Sequence, residues 1–165
     1  MLDRLEHVKG KKAVLLISTG VNTMSAATLD DTLKRIRQSD VTVFSVGVAE
    51  SEYLQAGGNI GYLQAKNQLQ TFAQLSGGTA WFPRFEGEIP DIFKSVAAFL
   101  RSQYSIGFSP DNVKPDGKYH RLKVEIVQPD GSPLIVTNEK GKPRKLIVYA
   151  REGYTAPSGR LQNAD

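Results

Sequence analysis

Residues 11–20 read Lys-Lys-Ala-Val-Leu-Leu-Ile-Ser-Thr-Gly, and this stretch limits the fold more than any other. Ala13 to Ile17 are five consecutive apolar residues, with no polar side to turn toward water. Such a run predicts a strand buried on both faces, the state of a central strand in a parallel sheet. A buried helical segment has the same character, but this run is short and bounded by Lys11 and Lys12 before it and Gly20 after it. An amphipathic stretch and a second apolar run, Val41 to Val48, follow, so the region predicts a β-α-β unit. Ligands of such sheets sit at the carboxyl ends of the strands. Ser18, Thr19 and Gly20 are therefore the first candidate binding residues.

Composition narrows the choice of class. A chain of 165 residues with 40% apolar content supports one ordinary domain, or one domain and a small appendage. At 23% charged residues the chain as a whole is not disordered. The absence of cysteine excludes disulfides and thiolate metal sites and leaves the compartment open. No apolar run is long enough to cross a bilayer, and the first residues lack the apolar core of an export signal. The net charge of +4 comes from scattered basic residues, apart from Lys140 to Lys145 in an expected hairpin loop. Nucleic-acid binding wants a clustered basic stripe with interleaved aromatics, so no nucleic-acid partner is expected.

Along the chain, Leu2, Leu5 and Val8 stand at helical spacing, with Gly10 as a stop signal. Thr28 and Asp31 form a capping-box pattern that opens a helix from Leu29 to Gln38, its apolar face carrying Leu29, Leu33 and Ile36. Asp30 and Asp31 at its start and Arg37 at its end suit the helix dipole. Ala49 to Gly61 reads as a loop; its Gly57, Gly58 and Gly61 are followed by no Lys-Ser or Lys-Thr and do not form a phosphate cradle. A second helix is predicted from Tyr62 to Leu75, with Ala65, Leu69, Phe72 and Ala73 on one face and Gly77–Gly78 at its end. Thr79 to Phe82 predicts a short third strand halted by Pro83. A third helix with Pro90 in its first turn carries a broad apolar face that includes Ile92, Phe93, Val96 and Leu100.

Beyond Ser102 the period falls to two. Gln103 to Ser109, Tyr119 to Val127, Leu134 to Thr137 and Leu146 to Arg151 predict half-exposed antiparallel strands. Turn signals stand at Asp116-Gly117, Asp130-Gly131 and Lys140-Gly141. The expected organisation is an α/β unit over residues 1–102, a small antiparallel β unit over 103–157 and a flexible tail over 158–165. The fold class is α/β, a mostly parallel, Rossmann-like sheet with flanking helices.

The order strand, Ser-Thr-Gly, helix, strand, helix, strand, helix resembles the C-terminal half of a von Willebrand factor type A domain, and more narrowly the bacterial VWFA-related proteins. Gly10-Lys11-Lys12-Ala13-Val14-Leu15-Leu16-Ile17-Ser18 and Val41-Thr42-Val43-Phe44-Ser45-Val46-Gly47 carry that resemblance. Asp116-Gly117-Lys118-Tyr119-His120-Arg121 and Ala150-Arg151-Glu152-Gly153-Tyr154 carry it further. It implies a partial type A fold over 1–102 and a secreted, periplasmic or cell-surface parent protein. Two departures bear on function. Type A domains hold a divalent cation through an Asp-x-Ser-x-Ser motif on an earlier strand, which this chain lacks. The later acidic ligand, expected in a Ser-Asp-Gly turn, is replaced by Thr19, and the next acidic position reads Asn22. Mg²⁺ wants carboxylate oxygens, so no metal or cofactor is expected unless the earlier ligands are supplied. A central strand with one evident neighbour also leaves an edge open. The chain is therefore expected to be a fragment of a longer protein, or to pair that edge with its own β unit or by self-association.

The expected function is a non-catalytic, adhesion-type protein-interaction module with a degenerate metal-ion-dependent adhesion site. Its partner would be a protein met by the loops Thr19–Ala27, Ala49–Gly61 and Pro83–Gly87. The alternative is a nucleotide- or phosphate-binding α/β domain using the Ser18-Thr19-Gly20 turn. A hydrolase finds no nucleophile–base constellation. Ser18, Thr19, Gly20 and Asn22 form the ligand-binding set, with local turn hydrogen bonding as their ordinary role. His7 and His120, with no partner suggested by spacing, are not expected to be catalytic. Glu50 and Glu52 read as solvated loop charges, Trp81 and Phe82 as core, and Tyr53 and Tyr62 as contact residues.

Overall fold

A computed structural model describes residues 2–5, 7–21, 27–48, 60–110 and 116–157. Three strands, β1 (Lys12–Ser18), β2 (Val41–Gly47) and β3 (Ala80–Trp81), form a parallel sheet in the order β1-β2-β3. The helices are α1 (Leu2–Leu5), α2 (Leu29–Gln38), α3 (Ile60–Ser76) and α4 (Ile89–Arg101), the last preceded by a 3-10 turn at Glu86–Glu88. Beyond them, β4 (Tyr119–Arg121) pairs antiparallel with β7 (Gly153–Thr155), and β5 (Ile135–Thr137) with β6 (Pro143–Lys145). The protein is thus mixed α/β, a parallel sheet with flanking helices and small antiparallel pairs after it.

The central strand is β2 and not β1. All seven β2 residues are buried, whereas in β1 only Val14 is buried and Ile17 is 52% exposed. The expectation that Ala13–Ile17 lies covered on both sides is therefore overturned. Two apolar runs compete for the centre, and neighbours on both edges decide it: among the described residues β2 has β1 and β3, while β1 has β2 alone. Phe44 and Val46 pack on Ile92 and Val96 of α4, joined by Trp81 and Phe99, with the Phe44 ring 5.9 Å from Phe99 and 6.1 Å from Trp81. On the opposite face, Gly47 lies under Leu69 of α3.

Local chemistry sets the helix ends. Thr28 caps α2: its hydroxyl accepts the Asp31 N–H at 3.1 Å, and the Asp31 carboxylate accepts the Thr28 N–H at 3.3 Å. α3 ends in a glycine cap. Gly77, at φ +81°, donates to the Gln74 carbonyl, and Gly78 to that of Ala73. Ser76 then serves β2, its hydroxyl accepting the Val43 N–H at 2.8 Å below the point where β3 begins. α4 is less covered than its sequence predicts, with Phe93 46% and Leu100 43% exposed. Gly10 has the expected positive φ but stands well past α1, which closes at Leu5.

The β unit departs from its expected strands. Among the described residues, 103–110 and Leu146–Arg151 lie in no ladder, while Tyr119–Val127 pairs with β7 over Tyr119–Arg121 and, at its far end, bridges Val127 to Pro133 with the Leu134 N–H donating to the Ile126 carbonyl at 3.1 Å. Alternation selects extended backbone, but a ladder needs a neighbour at hydrogen-bonding distance. The turns do form as expected, with Gly131 and Gly141 at φ +82° and +69°. The unit is tied to the parallel sheet by side chains. The Gln103 amide donates to Thr42 Oγ1 at 3.0 Å, Tyr149 meets Phe99 edge-on at 5.0 Å, and Arg37 lies 5.0 Å over the Tyr119 ring. Arg151 donates to the carbonyls of Ile36, Arg37 and Ser39 at the end of α2.

Candidate functional site

At the carboxyl end of β1 the hydroxyls expected to meet a ligand are engaged locally. Ser18 Oγ accepts the Gly20 N–H at 3.0 Å, and Thr19 Oγ1 accepts the Val21 N–H at 3.4 Å. Gly20 sits at φ +77°, and a Cβ there would lie 2.8 Å from the Ala65 carbonyl oxygen. Its role is to let the turn press against α3. Asn22, Glu50, Glu52, Tyr53, Gly57 and Gly58 lie outside the described residues. So does most of the two loops expected to flank the rim. Tyr62 is half-buried in α3, and Gly61 belongs to that helix. At the neighbouring strand ends, Phe82 covers Gly47, and Lys66 Nζ lies 5.0 Å over the Phe82 ring. Among the described residues no group of three or more His, Asp or Glu side chains is placed to hold a metal ion.

The outer edge of β1 adjoins this rim. The Val48 N–H donates to the Ser18 carbonyl at 3.0 Å, so Ser18 faces β2. In a parallel ladder a residue bonds one neighbour with both its N–H and its C=O, and the next residue faces the other way. Ala13, Leu15 and Ile17 therefore aim their amides away from β2, where no further strand stands among the described residues. At the lower end of the strand, Lys12 Nζ pairs with the Asp40 carboxylate at 3.0 Å, and that hydrogen bond holds the carboxyl below its usual range.

A second cluster was not expected from spacing. His120 on β4 stacks on Tyr154 of β7, with ring centroids 5.4 Å apart and planes at 20°. Its Nε2 lies 3.5 Å from the Asp116 carboxylate, and Phe108 meets Tyr154 edge-on at 5.9 Å. The Asp116 carboxyl is lowered first by the Lys118 N–H, which donates to it at 2.9 Å, and then by His120. The four-residue separation of Asp116 and His120 was legible in the chain, but Tyr154 arrives only through the β4–β7 register. Among the described residues no serine or threonine hydroxyl is hydrogen-bonded to His120; the ring is oriented by Tyr154 and by the Asp116 carboxylate. His7 is exposed.

Asp30 and Asp31 do not form an acid–base pair, since Asp31 is committed to the α2 cap. A cleft of about 330 Å³ lies between α3 and residues 147–152, lined by Gln70, Gln74, Thr79, Tyr149 and Glu152 among others. No helix among the described residues is long and apolar enough to cross a membrane. No family model matches the chain, and no curated protein matches it.

Proposed function

We propose that the chain is a non-catalytic, adhesion-type protein-interaction module with a Rossmann-like, partial von Willebrand factor type A arrangement and a degenerate metal-ion-dependent adhesion site. The observation that carries this reading is the open edge of β1 beside its own strand-end rim. There the amides of Ala13, Leu15 and Ile17 point outward next to an exposed Ile17. An edge of that kind recruits an added strand, with main-chain hydrogen bonds for affinity and alternate side chains for selectivity. The rim supports a neutral contact surface in place of a charged ligand site. Thr19 stands where the resemblance calls for a carboxylate, and its hydroxyl closes a turn. The phosphate reading is weakened at the same place, because the Gly20 and Val21 amides that would cradle an anion already have acceptors.

Amide hydrogen exchange on the purified chain tests the open edge. Ala13, Leu15 and Ile17 should exchange far faster than Val14 and Leu16, which lie between them. Equal protection of all five would refute the reading. Calorimetric titration with Mg²⁺ and with ATP should give no saturable heat. Saturable Mg²⁺ binding lost in Thr19→Ala would overturn the degenerate site, and saturable ATP binding would put the phosphate-binding alternative first.

A further inference from the structure

The segment Tyr104 to Phe108 lies in no ladder among the described residues, and Phe108 at its end meets Tyr154 edge-on at 5.9 Å. Tyr104 to Pro110 make no backbone hydrogen bond among the described residues. Tyr104 is 89%, Ile106 78% and Phe108 57% exposed. Such a segment presents unpaired backbone donors and acceptors beside alternating large apolar side chains, a template for pairing with another strand. The sequence around it indicates which one. Tyr104-Ser105-Ile106-Gly107-Phe108 reads nearly the same in both directions about Ile106: aromatic, small, isoleucine, small, aromatic. No charged residue falls between Ser102 and Ser109, so nothing repels a like copy.

We infer that this segment is a homodimer interface, in which two copies of the chain pair residues 104–108 antiparallel across a two-fold axis at Ile106. A two-fold contact requires that if residue i meets j, then j meets i. Here Tyr104 of each copy meets Phe108 of the other, Ile106 meets Ile106, and Ser105 and Gly107 leave the opposite face slim. Aromatic–aromatic and β-branched pairs are among those that stabilise antiparallel ladders. This inference uses a strand outside the parallel sheet and does not depend on the β1 edge or the rim.

Sedimentation equilibrium of the chain should show a concentration-dependent dimer. Ile106→Lys should raise its dissociation constant about tenfold or more, with an unchanged circular dichroism spectrum because the side chain is 78% exposed. Ile17→Lys, on the other open edge, should leave the dimer intact. The chain has no cysteine, so Ile106→Cys introduces a single thiol at the axis, and opposed antiparallel residues stand within disulfide reach. It should cross-link to a covalent dimer much faster than Ile147→Cys, which is also exposed. A mixture of Tyr104→Cys and Phe108→Cys chains should cross-link where neither does alone. A monomer at all concentrations, a dimer broken by Ile17→Lys but not by Ile106→Lys, or equal cross-linking at 106 and 147 would overturn the proposal.

Discussion

Replacing Arg151 with alanine should loosen the joint between the β unit and the parallel sheet. α2 ends at Gln38, and its last carbonyls have no partner within the helix. One nitrogen of the Arg151 guanidinium, Nη2, reaches the carbonyl of the cap residue Ser39 most closely and those of Ile36 and Arg37 at 3.3 and 3.4 Å. One good charge-assisted hydrogen bond contributes about 2 kcal/mol. The positive charge at the negative end of the helix dipole adds about 0.5–1 kcal/mol where it is partly buried. The two longer contacts add little, so the expected loss is about 2–3 kcal/mol. Arg151→Lys keeps the charge near the dipole but does not place a donor where Nη2 stands, and should lose about 1–2 kcal/mol. With a urea slope of about 2 kcal/mol/M, the alanine variant should move the unfolding midpoint down by about 1 M or slightly more. A shift corresponding to less than about 0.5 kcal/mol, or a lysine variant weaker than alanine, would refute the role assigned to this residue.

Gly78→Ala should cost about 3 kcal/mol or more, since its Cβ would lie 2.0 Å from the Val43 carbonyl oxygen in a buried strand; thermal unfolding reads the loss. The Asp40 carboxyl is depressed by the hydrogen bond from Lys12. Its stabilisation is present above the unfolded carboxylate value of about 3.9 and lost as pH falls through the lower folded value. Asp40→Asn should therefore reduce stability at neutral pH and flatten the acid limb of the stability–pH curve, a change visible in urea midpoints measured from neutral to strongly acid pH. Thr19→Ala should change stability by less than about 0.5 kcal/mol, because it removes one exposed turn bond of 3.4 Å; a larger loss in urea unfolding would mean the rim is held by more than local turns.

Much of the candidate site could be read from the chain. The Ser18-Thr19-Gly20 turn stands at the end of a strand, and the Thr28–Asp31 cap opens the helix after it, because both rest on neighbours a few residues apart. His120 could not be read in the same way. Its ring meets Tyr154 thirty-odd residues later along the chain, and only the β4–β7 register joins them. The alternation of residues 103–109 likewise selected their extended form but carried no information on whether a ladder would close on them.

What the chain determined by itself was local: which segments are helical, where the glycine and threonine caps fall, which runs are apolar and how they alternate. These follow from side-chain period and backbone freedom over a few residues. Tertiary structure decided which of two apolar runs became the centre of the sheet. Ala13–Ile17 is the more uniformly apolar of the two, yet among the described residues only the second, β2, has a neighbour on each side, the outer one a short strand well downstream. Burial on both faces and both edges is a property of what surrounds a strand, and no stretch of sequence carries its surroundings with it.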